Sequence, residues 1–138
     1  MASFVKFNSF VEALGREVHQ LNTDTLKIAL TNTAPNATDT QLSAITQIAN
    51  GNGYTTGGTA VANTSYSQTS GTAKLAGDDV VFTATGSMGP FRYAVLYNYT
   101  ATNDELIGCW DYGSSITLAS GETFTVDFNG TNGVLQVV

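Results

Sequence analysis

The sequence predicts a mainly β protein, an antiparallel jelly-roll-like β-sandwich with an α-helix at its N-terminus. Many short segments have the apolar pattern of strands, and turns rich in Gly, Asn, Asp and Ser separate them. Convincing helical periodicity is confined to the start of the chain, so the strand–helix alternation of a parallel sheet is missing. Only 12% of the residues are charged, about half the usual share, which suits a fold whose surface consists of Thr, Ser, Asn and Gly.

A single domain is expected over residues 1–138. This length is sufficient to bury a real core. The sequence contains no internal repeat and no linker long enough to divide the chain.

The long helix is predicted over residues 9–21. Ser9 and Glu12 have the spacing of a capping box, in which each side chain bonds the backbone at the other position. Apolar residues recur at helical spacing on one face: Phe7, Phe10, Val11, Leu14, Val18 and Leu21. We expect this face to lie against the sheets or against another subunit.

The strands begin at residue 25. Residues 25–31 alternate cleanly, with leucine and isoleucine inward, and this pattern predicts a strand. A short second helix is predicted within residues 40–49, followed by a mobile glycine-rich loop over residues 50–58. Residues 59–68 are extended and polar, and they form either an edge strand or an arm that orders against a partner.

The centre of the fold is predicted to be a hairpin of residues 91–98 and 105–112. A polar segment rich in Thr, Asn and Asp forms the turn. With the turn centred on Thr102, the facing pairs are Val95 with Cys109 and Ala94 with Trp110. One face then carries Phe91, Tyr93, Val95, Tyr97 and Ile107, and the other carries Ala94, Leu96, Leu106 and Trp110. Both faces are apolar, so we expect layers on both sides of this pair.

Further strands are predicted on each side of the hairpin, at residues 74–76, 80–85, 114–118, 123–128 and 134–138. The sequence Asn129-Gly130 favours a tight hairpin turn before the last of them.

The charge of the chain argues against nucleic acid as a direct partner. Five basic and eleven acidic residues give a net charge of −6, whereas binding of phosphate requires clustered Lys and Arg. No apolar run is long enough for a membrane span, and the N-terminus does not have the pattern of a signal peptide. We therefore expect a protein made in the cytoplasm, with no membrane partner.

No catalytic, cofactor or metal site is expected. Cys109 and His19 are the single residues of their types, and we interpret them as a buried thiol and a helix-terminal cation. Asp111 and Asp127 are the two strand carboxylates that a hydrolase would need to bring together. Arg92 is expected either to stack on Tyr112 across the hairpin or to pair with a carboxylate.

Three tyrosines are candidates for a contact surface. Tyr54, Tyr66 and Tyr99 fall in predicted loops or at an edge, where an aromatic ring is available to a partner or a sugar. Tyr93 and Trp110 fall at strand positions, and core packing is expected for both.

Several segments resemble small virion structural proteins of tailed double-stranded DNA bacteriophages. After an opening helix, the segments are TLKIALTNTAP, IANGNGYTTGG, DDVVFTATGSMGPFRYAVLYNYT, LIGCWDYGSSITLASGETFTVDF and NGVL. The similarity covers nearly the whole chain, and GPFRYAVLYN to WDYGSS is its most specific part. Within this group the sequence looks most like capsid decoration, or cement, proteins.

The resemblance implies a jelly-roll domain on the outer surface of an HK97-like capsid, often dimeric, which bridges capsomers and has no catalytic residues. The implied partners are the major capsid protein and a second copy of the chain. The candidate protein-interface residues are Phe7, Phe10, Val11, Leu14, Tyr54, Tyr66 and Tyr99, and residues 55–70 are a candidate capsid-binding arm. Two alternatives are a tail-fibre or baseplate module that binds host surface carbohydrate, and a lytic enzyme that uses Asp111 and Asp127.

Overall fold

Antiparallel strands dominate the protein, and the computed structural model describes residues 2–138. Within this range the helix α1 spans Phe10–Gly15 and a 3-10 turn spans Leu42–Ala44. The strands are β1 (Val5–Lys6), β2 (Leu26–Thr31), β3 (Thr59–Ala60), β4 (Ser65–Thr69), β5 (Thr72–Ala76), β6 (Val80–Thr83), β7 (Met88–Asn98), β8 (Leu106–Leu118), β9 (Thr123–Val126) and β10 (Leu135–Val137).

The strands form three sheets. The order is β1-β8-β7-β2-β3 in the largest, β10-β5-β4 in the second and β6-β9 in the third. Every strand pair is antiparallel, so the predicted mainly β, antiparallel class is confirmed for the described residues. No helix of residues 2–138 is long and apolar enough to cross a membrane.

The predicted hairpin is the central pair of the five-stranded sheet. Its strands β7 and β8 are longer than expected, and the two predicted facing pairs are found: Val95 pairs with Cys109, and Ala94 pairs with Trp110. Separate apolar clusters lie on the two faces of the sheet. The prediction that this pair is covered on both sides is therefore confirmed.

Three register shifts interrupt the pairing of β7 with β8, and three side chains lie on the face opposite to the predicted one. Leu96 pairs with Gly108 and Tyr97 pairs with Leu106, so Ile107 is an extra residue in β8. A one-residue bulge turns the following side chains to the opposite face. The predicted sides of Phe91, Leu106 and Ile107 are wrong: Phe91 and Ile107 lie in the larger cluster, and Leu106 lies in the smaller one.

The N-terminal helix is much shorter than the predicted range 9–21. It spans six residues and ends at Gly15, and Glu17 has a left-handed φ of 63°. The capping box does not form, because Ser9 makes no side-chain cap bond and Glu12 instead accepts a hydrogen bond from Arg16 at 2.8 Å. Local periodicity predicted a continuous helix, but the backbone turns after Gly15.

The second predicted helix, within residues 40–49, is also wrong. Around the short 3-10 turn, Gln41 bridges to Glu105 and Thr31 bridges to Gln47. Hydrogen bonding to the sheet therefore replaces helix formation in this segment, and Ile45 still becomes buried.

The glycine-rich loop, residues 50–58, is anchored rather than mobile. Tyr54 is 2% exposed, and its hydroxyl donates to Gln47 Oε1 at 2.6 Å and accepts from the Leu30 N–H at 3.2 Å. The Gly57 N–H donates to the same Gln47 oxygen at 2.7 Å, and the Tyr97 hydroxyl donates to the Gly57 carbonyl at 2.5 Å. Hydrogen bonds made by Tyr54, Gln47 and Tyr97 thus hold a segment whose composition predicted mobility.

The polar segment 59–68 contains an edge strand, which was one of the two structures expected for it. Strand β4 pairs with β5 and lies at the edge of the three-stranded sheet. Ser70 and Gly71 join these strands with φ values of 51° and 84°, the combination that a type I′ hairpin turn requires.

The last predicted hairpin is wrong. Residues 129–133 do form a turn closed by an Asn129–Gly133 bridge, but its flanking strands do not pair with each other. Strand β9 pairs with β6, and β10 pairs with β5. Turn chemistry predicted a local contact, and packing assigned the two strands to different sheets.

Candidate functional site

A cleft of about 380 Å³ opens beside the middle of the central hairpin. It lies between strands β7 and β8 on one side and strand β9 on the other. The lining residues are Ala2, Arg92, Ala94, Trp110, Tyr112, Phe124, Thr125, Val126 and Asp127. Its size falls in the range of about 300–1,000 Å³ that is typical of ligand sites.

Trp110 is held in place by rings on two sides. The Phe4 ring meets it edge-on at a centroid distance of 5.3 Å, and the Phe128 ring lies at 5.7 Å. Gly108 makes the position of Phe4 possible, because a Cβ on Gly108 would lie 2.1 Å from the Phe4 ring. The indole is therefore a fixed wall of the cleft.

Phe124 forms a second aromatic wall. Its ring lies edge-on to Phe91 at 4.9 Å and to Tyr112 at 5.6 Å. Phe91 is fully buried, whereas Tyr112 is 54% exposed. The aromatic surface thus extends from the core to solvent.

A two-point ion pair lies beside the cleft. Arg92 Nε and Nη2 donate to the two carboxylate oxygens of Asp111 at 2.8 and 3.0 Å, which is the carboxylate pairing that was one of the two expectations for Arg92. The Gly113 N–H also donates to Asp111 at 2.8 Å. These hydrogen bonds lower the pKa of Asp111, and the bond to Asp111 raises the pKa of Arg92. Both side chains are exposed, so the pair links β7 to the exposed part of β8 and contributes little to the stability of the fold.

Two further hollows continue the cleft. The first shares Ala2, Trp110 and Asp127 with it and is also lined by the amides Asn129 and Asn132. The second shares Asn129 with the first hollow and reaches Asp78 and Asp79. Together they form a trough whose polar side chains are Ser3, the two amides and the carboxylates.

Three of the predicted interface residues are inside the molecule. Phe7, Phe10 and Tyr54 are 1%, 4% and 2% exposed, because they pack in the two clusters on opposite faces of the sheet. They are unavailable to a partner in this structure, so placing them on a contact surface was wrong.

The other four predicted interface residues reach the surface to different degrees. Val11 and Tyr99 are 55% and 53% exposed, and Leu14 and Tyr66 are half-buried. Tyr66 lies in strand β4, whereas Tyr99 follows β7 and carries the Lys27 ammonium over its ring at 3.7 Å. The tyrosines therefore belong to different sheets, and neither lines the cleft.

The carboxylates considered for hydrolysis have different environments. Asp127 lines the cleft, whereas Asp111 is bound by Arg92 beside it. A glycosidase acid requires a raised pKa, and the guanidinium lowers the pKa of Asp111. This arrangement is unsuited to proton donation by Asp111.

A buried polar cluster lies away from the cleft. The Asn98 side-chain amide donates to Asp24 Oδ2 at 2.6 Å and to His19 Nδ1 at 3.0 Å. Burial lowers the pKa of His19 and outweighs the opposite effects of Glu105 and Asp24. His19 lies beyond the end of α1, so its predicted role as a cation in the last helical turn is wrong.

Metal-binding residue types do not cluster in the described chain: residues 2–138 contain no group of three or more His, Cys, Asp or Glu side chains that could hold an ion. Cys109 is half-buried, and burial raises the pKa of its thiol. A thiol in this environment is a poor nucleophile at neutral pH.

The fold and the cleft define an antiparallel β protein with an aromatic surface cleft. No protein-family model, curated protein or solved structure matches this chain. Sequence reasoning assigned Trp110 to the core and missed Phe124 and Tyr112 as neighbours. The run Trp110-Asp111-Tyr112 indicated aromatic residues at a strand end, but it did not indicate which strand lies opposite.

Proposed function

We propose that this protein is a structural virion protein that binds the outer surface of an HK97-like phage capsid. In this role it stabilises the shell by bridging capsomers of the major capsid protein. The resemblance of nearly the whole sequence to phage cement proteins supports the proposal. Its most specific part forms strands β7 and β8, the centre of the five-stranded sheet. A jelly-roll arrangement of the sheets and a homodimeric state are parts of the same proposal.

The open edge of strand β4 is the observation that carries this proposal. Strand β4 pairs with β5 on one side, and no strand of the described chain pairs with its other side. Four of its five residues are exposed, and Tyr66 is half-buried. An unpaired edge of this kind can accept a strand from another chain through backbone hydrogen bonds.

A bridging protein also needs a second contact surface. Strand β1 is an edge of the five-stranded sheet, and its Val5 is 56% exposed. Val11 of α1 is 55% exposed. Because Phe7 and Phe10 are buried, we place the dimer contact on these two valines.

Small contact areas are sufficient for attachment when the same contact is repeated over the capsid lattice. A stable pairwise complex buries about 1,200–2,000 Å² in total, which a five-residue edge strand alone does not provide. Two contacts by one rigid body raise the effective concentration of each, so weak individual contacts give firm attachment.

Co-sedimentation tests the proposal directly. The purified protein is mixed at about micromolar concentration with capsids that lack decoration, and the pellet is assayed for the chain. We expect saturable binding. A chain that stays wholly in the supernatant would contradict the proposal.

A proline in β4 tests the edge itself. In a two-residue hairpin the residues next to the turn, Thr69 and Thr72, form a hydrogen-bonded pair. The N–H of Gln68 therefore points away from β5, and Gln68→Pro removes an outward donor while the hairpin is retained. We expect Gln68→Pro to lose capsid binding and the matched variant Gln68→Ala to keep it; equal binding by both would exclude this edge.

A further inference from the structure

We propose that the cleft beside Trp110 is a binding site for a neutral saccharide of one or two sugar rings. The inference does not depend on capsid binding, and the site does not include the candidate contact residues Tyr54, Tyr66 and Tyr99. It follows from the combination, in one cleft, of fixed aromatic rings and polar groups that have no hydrogen-bond partner among residues 2–138.

The aromatic walls match the apolar faces of a sugar. Trp110, Phe124 and Tyr112 all line the cleft, and each ring is packed against a neighbouring ring at 4.9–5.7 Å. The C–H groups of a pyranose carry partial positive charge and stack on the negative face of an aromatic ring. Because the rings are already fixed, binding orders few side chains.

Unused hydrogen-bonding groups surround these rings. In the described chain, no hydrogen bond is made by Trp110 Nε1, the Tyr112 hydroxyl, the Thr125 hydroxyl or the Asp127 carboxylate. The set contains donors and acceptors, as the hydroxyl groups of a sugar require. Few polar groups placed around an apolar surface are typical of sites that orient a small ligand.

The charges in the cleft favour a neutral ligand. Arg92 is the single cation among the described residues that line the cleft, and its two donated bonds to Asp111 neutralise it. Asp127 adds a negative charge, and the chain as a whole carries −6. A phosphate, a uronic acid or a nucleotide would meet repulsion here, whereas an uncharged sugar would not.

The ion pair has a positioning role in this site. The Asp111 carboxylate accepts hydrogen bonds from Arg92 and from the Gly113 N–H. Asp111 and Gly113 are the two neighbours of Tyr112 in the sequence. These bonds hold the backbone of the exposed middle of β8, from which the Tyr112 ring extends. Arg92 and Asp111 thus support the aromatic wall.

Fluorescence provides a direct test, because Trp110 is the single tryptophan of the chain. The full-length protein is titrated with maltose, cellobiose, lactose and N,N′-diacetylchitobiose, and with glucuronic acid as the charged probe. We expect a saturable change in emission with at least one neutral disaccharide, with a dissociation constant of about 1 mM or lower. Glucuronic acid is expected to give no saturable change.

Surface variants distinguish binding in the cleft from binding elsewhere. We expect Tyr112→Ala and Asp127→Ala to weaken the binding of the same disaccharide about tenfold, since both residues are exposed and their loss spares the core. Tyr99→Ala is the matched control, an exposed tyrosine outside the cleft, and it should leave the affinity unchanged.

Three outcomes would overturn the inference. The first is that no neutral disaccharide saturates the signal below about 10 mM. The second is saturable binding that Tyr112→Ala and Asp127→Ala leave intact. The third is a response to the apolar dye ANS alone, which would indicate a hydrophobic surface without sugar recognition.

Discussion

The hydroxyl of Tyr54 accepts a hydrogen bond from the Leu30 N–H at 3.2 Å. Leu30 belongs to β2, a strand between β7 and β3 in the five-stranded sheet, and Tyr54 belongs to the glycine-rich loop. The same hydroxyl donates to Gln47 Oε1, which also accepts the Gly57 N–H. One side chain therefore ties a loop of small residues to the sheet.

Removing this hydroxyl should destabilise the protein. Tyr54→Phe leaves the buried Leu30 N–H without its side-chain acceptor, and an unsatisfied buried group costs about 1–3 kcal/mol. We expect the free energy of unfolding, measured by urea denaturation, to fall by that amount. Tyr99→Phe, which alters an exposed hydroxyl, is the control, and equal stability of the two variants would show that the loop is not anchored this way.

The buried tyrosines predict a loss of stability in alkali. Burial raises the pKa of Tyr54 to about 12, and burial likewise raises the pKa of Tyr97. The unfolded chain loses these protons near pH 10, so the folded state is favoured fully below pH 10 and progressively less as the pH rises from 10 towards 12. Urea midpoints at several pH values across this window test the prediction, and Tyr54→Phe should flatten the decline. An unchanged slope in that variant would contradict it.

The lowered pKa of His19 predicts that the protein also loses stability in weak acid. Its folded-state pKa is lowered from 6.5, so the unfolded chain binds this proton more tightly. Stability is therefore fully present above pH 6.5 and declines as the pH falls below it. His19→Gln keeps an acceptor for Asn98 and removes the titrating group. We expect its urea midpoint to change less than that of the parent between about pH 6.5 and 5; parallel curves would exclude His19 as the cause.

Any side chain at position 108, beside the cleft, should destabilise the protein. A Cβ at this position would lie 2.1 Å from the Phe4 ring and 3.0 Å from the Val5 carbonyl oxygen. Gly108→Ala must therefore displace the Phe4 ring from Trp110, and we expect a loss of about 1–3 kcal/mol with a red-shifted Trp110 emission. Gly15→Ala is the control, because no atom lies within 4 Å of its Cβ. An unshifted emission maximum in Gly108→Ala would show that Phe4 does not shield the indole.

Local patterns in the sequence determined the strands and the central hairpin. Composition and turn residues specified an antiparallel β protein, and the apolar residues on both faces of the 91–98 segment specified a covered central strand. The facing pair of Val95 and Cys109 followed from the position of the polar turn. These features depend on interactions between residues that are close in the chain or directly opposite in one hairpin.

Only the tertiary structure decided the helix end, the strand partners and the cleft. The extra residue Ile107 in β8 places side chains on the face opposite to the predicted one. The strands on the two sides of residues 129–133 pair in different sheets and do not form the predicted hairpin. Trp110 and Phe124 line one cleft because β8 and β9, which belong to different sheets, lie on its two sides. Such contacts join residues that are distant along the chain, and their energies come from packing that no local periodicity records.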